Sequence, residues 1–309
     1  MFEIFNIYLP IADVNINFFL LLAVGLGSGL LSGMFGVGGS LVCIPALLYI
    51  GINPKIAVAS VTNQMVAASF SGFLAYSERG RVDYKLGFAM VVGGLSATIA
   101  GIWFFDYMAD AGHINSLVSI GLIVLLSLSS FLTARDALKM LYYKMQKREY
   151  VKSAKPSYFG KWFMPFKTSF ISIKQPISII GPILVGMTGG FLVSVMGVGG
   201  TLIMMPALLY LLRVSEMFTV GTCHFQLIFV TSLSTILHAT TQQDIDIILS
   251  GILIFGTAFG ARIGAQIVCK WSPDSFCILL AILIFSLCAE GVYKLVAKPN
   301  NLYHIEALD

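Results

Sequence analysis

A glycine-rich block occurs twice in this sequence, and the duplication constrains the fold more than any other feature. Residues 36–49 read GVGGSLVCIPALLY and residues 197–210 read GVGGTLIMMPALLY, so ten of fourteen positions are identical at an offset of 161 residues. Both blocks lie in apolar sequence. Glycine destabilises a helix interior and permits other backbone paths. At membrane depth, irregular backbone is tolerated only inside protein or beside a cavity, and paired breaks of this kind are typical of transporter binding sites.

The composition indicates a membrane protein. Hydrophobic residues make up 57% of the chain and charged residues only 11%, whereas soluble domains carry about 25% charged residues. Apolar runs that are candidate membrane spans occur five times in each half, at 17–35, 41–52, 57–76, 86–105 and 114–133, and at 177–196, 202–212, 218–239, 247–268 and 276–296. The sequence therefore predicts an all-α fold, a polytopic bundle of transmembrane helices.

The chain divides into two homologous membrane repeats joined by a basic linker. We expect the first repeat at 1–133, the linker at 134–176 and the second repeat at 177–309. With ten spans and an internal linker, fifteen of the nineteen Lys and Arg residues fall on the cytoplasmic side, as the positive-inside rule requires. Both termini then lie outside. Five spans per half also give the halves opposite orientations, which predicts an inverted repeat.

The second run of each half is too short for a straight span. Twelve helical residues cover only ~18 Å of a ~30 Å hydrocarbon core. Each run also contains a proline, Pro45 or Pro206, which removes a backbone donor. Each glycine block therefore joins either two tilted short spans or one span and a re-entrant segment. We favour two spans with broken helices, five per half.

The duplication extends to polar residues downstream of each block. Val58-Ala59-Ser60 and Gln64 align with Val220-Gly221-Thr222 and Gln226 at an offset of 162, and Val82-Asp83 aligns with Ile245-Asp246 at 163. Small residues repeat every fourth position at Gly93, Ala97 and Gly101 and at Gly256, Gly260 and Gly264. This spacing favours close packing of helix backbones in lipid.

The predicted binding site combines the two breaks with these polar residues. A helix N-terminus offers unpaired N–H groups and a partial positive charge, so it attracts small anions. Polar side chains inside spans usually face the bundle interior. The predicted substrate-binding residues are Gly36, Gly38, Gly39, Ser40, Ser60, Thr62, Asn63, Gln64, Gly197, Gly199, Gly200, Thr201, Thr222, His224 and Gln226.

Each of these features also has a structural interpretation. The glycines can serve close helix packing, and the amides can form hydrogen bonds between helices. His224 is the best candidate for a proton-linked switch, because histidine titrates near neutral pH. Its alternative role is that of a packed, hydrogen-bonded side chain.

Other function classes find little support. The sequence contains no nucleophile–base pair, no zinc-spaced His/Cys set, and no phosphate loop or dinucleotide motif in the right context, which argues against an enzyme, a metal or a cofactor. The basic residues cluster in one loop without a nucleic-acid-binding motif. The five cysteines lie in apolar stretches and resemble small buried hydrophobic residues.

The paired GVGG-[ST]-L-x-x-x-P-A-L-L-Y blocks, each followed by V-[AG]-[ST] and a Gln, resemble the sulfite exporter TauE/SafE family of membrane permeases. Gly80-Arg81-Val82-Asp83 strengthens the resemblance. It implies transport of a small anion, such as sulfite, a sulfonate or a related organic acid, across the bacterial inner membrane. It also implies binding at 36–40, 60–64, 197–201 and 222–226.

The leading hypothesis is a secondary transporter, driven by a proton or charge gradient, in contact with a small anionic solute and the bilayer. The alternative is a non-transporting assembly factor or sensor that uses the basic linker as its interaction surface. The sequence leaves open whether the chain forms a homo-oligomer.

Overall fold

The structure is a computed structural model that describes residues 6–35, 39–112, 120, 121, 124, 127, 167–173, 177–197, 199–241 and 246–268. Gly36, Gly38, linker residues 134–166 and the predicted span 276–296 lie outside these ranges, as does most of the predicted span 114–133. The chain divides into two units, Met1–Ser119 with Lys152–Trp271, and Ile120–Val151 with Ser272–Asp309. Every strand and helix named below belongs to the first unit.

Helices make up most of the described chain. The first half contains α1 (Phe18–Phe35), α2 (Ser40–Ile50), α3 (Pro54–Ser77) and α4 (Tyr84–Asp110). The second contains α5 (Ile180–Met196), α6 (Thr201–Pro206, continued by a π-helical turn at Ala207–Leu211), α7 (Glu216–Thr241) and α8 (Ile247–Val268). The prediction of a helical membrane protein is therefore confirmed. The division into three domains and the number of spans per half stay predictions.

Three described helices have the length and apolar composition of membrane spans: Tyr84–Asp110, Met217–Thr241 and Ile247–Ile267. Two further apolar helices, Phe18–Met34 and Ile180–Met196, are shorter. Large apolar side chains line the outside of α4, where Phe88, Val92 and Trp103 are exposed. This surface is the kind that faces lipid, because the chain has too few charges to cover it in water.

The helix after each glycine block is short. α2 has 11 residues and therefore extends only ~16 Å, about half of a hydrocarbon core. It ends at Gly51, where φ is 99°, in the left-handed region that glycine tolerates best. α6 has six residues before the backbone changes to the π-helical turn. At the glycine blocks themselves, α1 ends at Phe35 and α2 begins at Ser40, and α5 ends at Met196 and α6 begins at Thr201.

The first helix of each half packs against the fourth helix of the other half. α1 lies against α8, and α5 lies against α4. In the first pair, a Cβ on Gly29 would come 2.6 Å from the Cα of Thr257, and one on Gly33 would overlap the carbonyl of Ala261. These contacts advance together along both helices, so the two run parallel. Packing this close requires glycine, since any side chain would separate the backbones.

The second pair repeats this arrangement. A Cβ on Gly93 would overlap the carbonyl of Ile183, and one on Gly190 would overlap the carbonyl of Gly94. Gly256, Gly260 and Gly264 meet α1 in the same way. The packing role predicted for the small-residue stripes is seen at these positions.

A short antiparallel ribbon precedes the first helix of each half. β1 (Asn6–Leu9) pairs with β2 (Val14–Asn17), and β3 (Lys167–Thr168) pairs with β4 (Ile177–Ser178). The register pairs Asn6 with Asn17 and Lys167 with Ser178, so corresponding positions are again 161 residues apart. In the first ribbon, the hydrogen bond that Tyr8 donates to Asp13 (2.6 Å) raises the pKa of Tyr8. The ribbons were not predicted from the sequence.

Candidate functional site

The two glycine blocks meet inside the protein. Ser40, the first residue of α2, accepts a hydrogen bond through Oγ from the backbone N–H of Gly199 in the other block, at 2.8 Å. The Thr201 hydroxyl donates to the carbonyl of Gly199 at 3.2 Å. Ser40 and Thr201 are fully buried. Residues 159 positions apart in the chain therefore meet in one buried polar contact.

The glycines of the two blocks bring helices together. Gly39 has φ of 74°, and a Cβ there would come 2.6 Å from the carbonyl oxygen of Ser28 in α1. A Cβ on Gly200 would come 2.4 Å from the Cα of Gly189 in α5. Their positions correspond across the duplication. The structure thus favours the packing interpretation at these two glycines, and a direct ligand role for them stays a prediction.

Gly197, in the second glycine block, lies against α3 near the polar residues of that helix. It ends α5 with φ of 63°, and its Cα faces Val58, two residues before Ser60. A side chain at this position would be strained by the positive φ and would press against Val58. Glycine is therefore the residue that suits this position. The break in the second half therefore lies directly against α3 of the first half.

The α3 cluster contains polar atoms that lack partners. The Gln64 Oε1 accepts from the Cys43 thiol at 3.6 Å, whereas its Nε2 and the Ser60 hydroxyl have no hydrogen-bond partner although both residues are fully buried. The Thr62 hydroxyl is satisfied by the carbonyl of Val58 at 2.7 Å. Asn63 is only partly buried. Ser60 and Gln64 are thus the members of this cluster with open donors.

The corresponding residues of α7 point to different neighbours. The Thr222 hydroxyl accepts from the N–H of Asp83 at 3.1 Å, which places it at the start of α4. Gln226 donates through Nε2 to the carbonyl of Gly186 at 3.1 Å, while its Oε1 has no partner. Of this pair, Gln226 alone offers an open polar atom in the structure.

His224 lies in a separate contact between α7, α3 and α1. Its ring is fully buried, and a Cβ on Gly72 would come 2.6 Å from its Nε2. Tyr76 stacks on the imidazole with ring centroids 6.0 Å apart and donates its hydroxyl to the carbonyl of Gly33 at 3.1 Å. The backbone of Ser32 lies beside the ring. Neither ring nitrogen has a hydrogen-bond partner within bonding distance.

Several buried polar residues near these helices were missed by the sequence analysis. The hydroxyls of Ser32, Ser69 and Ser234 are fully buried without a partner. Tyr76 and Cys43 also contact the predicted residues. A serine in an apolar run is a weak sign of a functional site, because its hydroxyl can bond to a carbonyl of its own helix. Only the packing of the helices shows that these three hydroxyls are buried without a partner.

The chemistry available is that of neutral hydrogen-bond donors and acceptors. A buried polar atom without a partner costs about 1–3 kcal/mol, and most buried polar groups in native proteins are hydrogen-bonded to protein or to ordered water. The open atoms of Ser60, Gln64, Gln226 and His224 are therefore suited to water or a polar solute. Within the described residues, no group of three or more His, Cys, Asp or Glu side chains is arranged to hold a metal ion.

Comparison with known proteins places the chain among membrane transporters. The sequence pattern of the family described as "Sulfite exporter TauE/SafE" matches residues 21–290. The probable membrane transporter protein YunE of Bacillus subtilis (strain 168) is 24% identical over 288 residues, which cover 90% of this chain and 98% of that protein. The probable membrane transporter protein YjnA of the same organism is 24% identical over 277 residues, 85% of this chain and 95% of that protein.

No solved structure matches the chain. The family match covers both glycine blocks, the polar residues of α3 and α7, and the paired helices that surround them. The chain belongs to the sulfite exporter TauE/SafE family and is a multi-pass membrane transporter protein.

Proposed function

We propose that this protein is a secondary transporter of a small anion, such as sulfite, a sulfonate or a related organic acid, and that it binds the anion where the two helix breaks meet. The observation that carries the proposal is the hydrogen bond between Ser40 and Gly199, 2.8 Å long, which joins the two glycine blocks in one buried centre. The open donors of Ser60 and Gln64 on α3 can replace part of the hydration of an oxyanion.

The arrangement of the halves supports an alternating-access mechanism. α8 begins beside the first ribbon, where Asp246 accepts from the N–H of Ile11 at 3.1 Å, and it ends beside the α3–α4 turn, where Arg79 donates to the carbonyl of Ala265 at 3.1 Å. The pair α1 and α8 therefore runs opposite to the pair that starts with α4. Such an arrangement is what an inverted repeat produces, and rocking of the two halves about the breaks would expose the site to each side in turn.

The orientation in the membrane follows from the charge distribution. The excess of Lys and Arg in the linker and in the α3–α4 turn places both in the cytoplasm, with the termini on the opposite side of the bacterial inner membrane. A proton or charge gradient is the energy source that fits a transporter with no nucleotide-binding motif in its sequence.

The test is uptake into proteoliposomes with a matched pair of glutamines. Labelled sulfite and a labelled sulfonate are followed for the wild type, Gln64→Leu and Gln266→Leu. Gln64 is fully buried beside Cys43, whereas Gln266 is exposed on α8. Leucine retains the volume of the side chain and removes its amide. Gln64→Leu is expected to reduce transport by roughly tenfold or more, as the loss of one hydrogen bond to a charged solute predicts, and Gln266→Leu is expected to leave it unchanged.

This comparison separates the site from the fold. If the wild type transports the anion and Gln64→Leu is equally active, the solute binds at a different place in the protein. Absence of transport of every small anion tested, in protein that is folded by thermal unfolding in detergent, would favour a role other than transport.

A further inference from the structure

In each half of the described chain, a buried aspartate caps a helix. Asp83 precedes α4, and its Oδ1 accepts from the N–H of Leu86 at 3.1 Å. Asp246 precedes α8, and its Oδ1 accepts from the N–H groups of Ile248 and Leu249 at 3.0 and 3.1 Å. Asp83 is fully buried and Asp246 is 1% exposed. A carboxylate at a helix N-terminus is stabilised by these N–H donors. Helix capping therefore accounts for the Oδ1 atom of each aspartate.

The second carboxylate oxygen contacts the ribbon of the other half. The Oδ2 of Asp83 accepts from the N–H and the hydroxyl of Ser172, at 2.9 and 2.8 Å. The Oδ2 of Asp246 accepts from the N–H groups of Ile11 and Ala12, at 3.1 and 3.4 Å. Ile11 and Ser172 are 161 residues apart, the offset of the glycine blocks. We call these contacts the Asp83 latch and the Asp246 latch.

Each latch joins the starts of two parallel helices that belong to different halves. The first ribbon leads into α1, which packs against α8, and the second ribbon leads into α5, which packs against α4. The two latches lie at opposite ends of the bundle, because α8 starts at Asp246 and ends beside Arg79, four residues before Asp83. The same device is thus present once at each end.

We propose that Asp83 and Asp246 are positioning residues for gating: each latch closes its own end of the transporter, and that end opens to the solute when the ribbon leaves the carboxylate. The proposal rests on the transport function proposed above. Breaking a latch removes hydrogen bonds that exist in the closed form of one end, and therefore shifts the population toward the form that is open at that end.

Among the residues that the structure describes, the Asp83 latch makes the larger number of hydrogen bonds to other elements. The N–H of Asp83 donates to the Thr222 hydroxyl of α7 at 3.1 Å, and the carbonyl of Ser172 accepts from the N–H of Ser215 at 3.1 Å. Ser215 directly precedes α7, and its carbonyl accepts from the N–H of Phe218 in the first turn of that helix at 3.0 Å. This latch therefore connects the ribbon, α4 and the helix that carries His224 and Gln226. We expect its loss to change access more than loss of the Asp246 latch.

The experiment measures access to the centre from each end. Cys43 is a native reporter, because it is fully buried with its Sγ 3.6 Å from Gln64. The other four cysteines are replaced by alanine in the full chain, and alkylation of Cys43 by a membrane-impermeant maleimide is timed from each side of right-side-out and inverted vesicles. The variants are Asp83→Asn and Asp246→Asn. Asparagine retains an acceptor oxygen for the helix cap but presents N–H donors to the donors of the ribbon.

The expected result is a change on one side only. Asp246→Asn should accelerate labelling by roughly tenfold from the end where Asp246 lies, and Asp83→Asn should do so from the opposite end, as loss of about one charge-assisted hydrogen bond predicts. Ser172→Ala, which removes one of two donors, should give a smaller change on the Asp83 side. Asp13→Asn is the control, since Asp13 lies in the first ribbon and its exposed carboxylate accepts a local hydrogen bond from Tyr8.

Equal acceleration from both sides, or no change in either variant, would overturn the proposal. Uptake of labelled sulfite is measured on the same preparations. If the wild type transports no anion but the two variants open opposite ends, the latches stand and the proposed substrate fails. If the wild type transports and the variants do not differ between sides, the substrate stands and the latches fail.

Discussion

At the scale of single residues, the Ser40–Gly199 hydrogen bond is the contact on which the proposed site depends most. The Ser40 side chain is the acceptor for a buried backbone N–H that belongs to the other half of the protein. Because no water can reach a fully buried N–H easily, removing its acceptor leaves a polar group unsatisfied. The bond therefore couples the stability of the protein to the geometry of the proposed site.

We predict that Ser40→Ala destabilises the protein by about 1–3 kcal/mol, the cost of a buried polar group without a partner, and lowers anion transport. Thermal unfolding in detergent and uptake into proteoliposomes check the two effects. Ser96→Ala is the matched control, because the Ser96 hydroxyl bonds within its own helix to Gly93. A Ser40→Ala protein as stable and as active as the Ser96→Ala protein would contradict the role assigned to this bond.

A second residue-scale prediction concerns the His224 ring. The methyl group of Gly72→Ala would come 2.6 Å from the imidazole Nε2 of His224, which is too close. We therefore expect the ring to move from its place beside Tyr76 and transport to fall. Gly251→Ala is the control, since open space surrounds that glycine. Uptake rates and unfolding temperatures of both variants are compared. Normal transport by Gly72→Ala would show that the position of His224 does not matter for the transport cycle.

The residues of the site were only partly predictable. Gln64 and His224 could be singled out in the sequence, because a polar side chain in an apolar run is costly to bury and usually faces the bundle interior. The contact between Ser40 and Gly199 and the stacking of Tyr76 on His224 depend on helices distant in the chain, and no local pattern encodes their partners. The glycine blocks lie where α1 and α5 end and α2 and α6 begin, but they gave no means to distinguish a ligand site from helix packing.

At the scale of helices, the glycine seam between α1 and α8 determines how close the two can lie. Within α1, Gly33 faces the backbone of Ala261, whereas Gly27 has open space at its Cα. One helix thus contains a glycine that the packing requires and another that it does not.

We predict opposite effects for these two glycines. Gly33→Ala should destabilise the protein by about 1–3 kcal/mol, because the added methyl overpacks the seam. Gly27→Ala should be neutral or stabilise it by up to ~1 kcal/mol, because alanine loses less conformational freedom in a helix. Unfolding of both variants in the same detergent measures the difference. Equal stability of the two would mean that α1 and α8 do not approach as closely as the structure shows.

Helices were easier to predict than the elements that join them. The apolar runs 57–76 and 86–105 became Pro54–Ser77 and Tyr84–Asp110, since hydrophobic length sets a span. The ribbons were missed because Asn6–Asn17 and 167–178 share little sequence, although their registers correspond. Backbone hydrogen bonds define a ribbon and tolerate many side chains, so a duplication can persist there after the sequences have diverged.

At the scale of the whole molecule, the arrangement of α8 makes the predicted topology testable. This helix has 22 residues and therefore extends ~33 Å, enough to cross a hydrocarbon core. Asp246 at its start contacts the first ribbon, and Ala265 near its end contacts Arg79 in the α3–α4 turn. The first ribbon and the α3–α4 turn should therefore lie on opposite sides of the membrane.

We predict that Tyr8→Cys, in a chain whose native cysteines are replaced by alanine, is labelled by an impermeant maleimide in intact cells, and that Glu78→Cys is labelled only after the cells are made permeable. Tyr8 is 53% exposed and Glu78 is also exposed, so both thiols are accessible to reagent on their own side. The positive-inside rule assigns the turn with Arg79 and Arg81 to the cytoplasm. A permeant maleimide, which should label both variants, is the control. Labelling of both positions from one side would be incompatible with α8 as a span and with oppositely oriented halves.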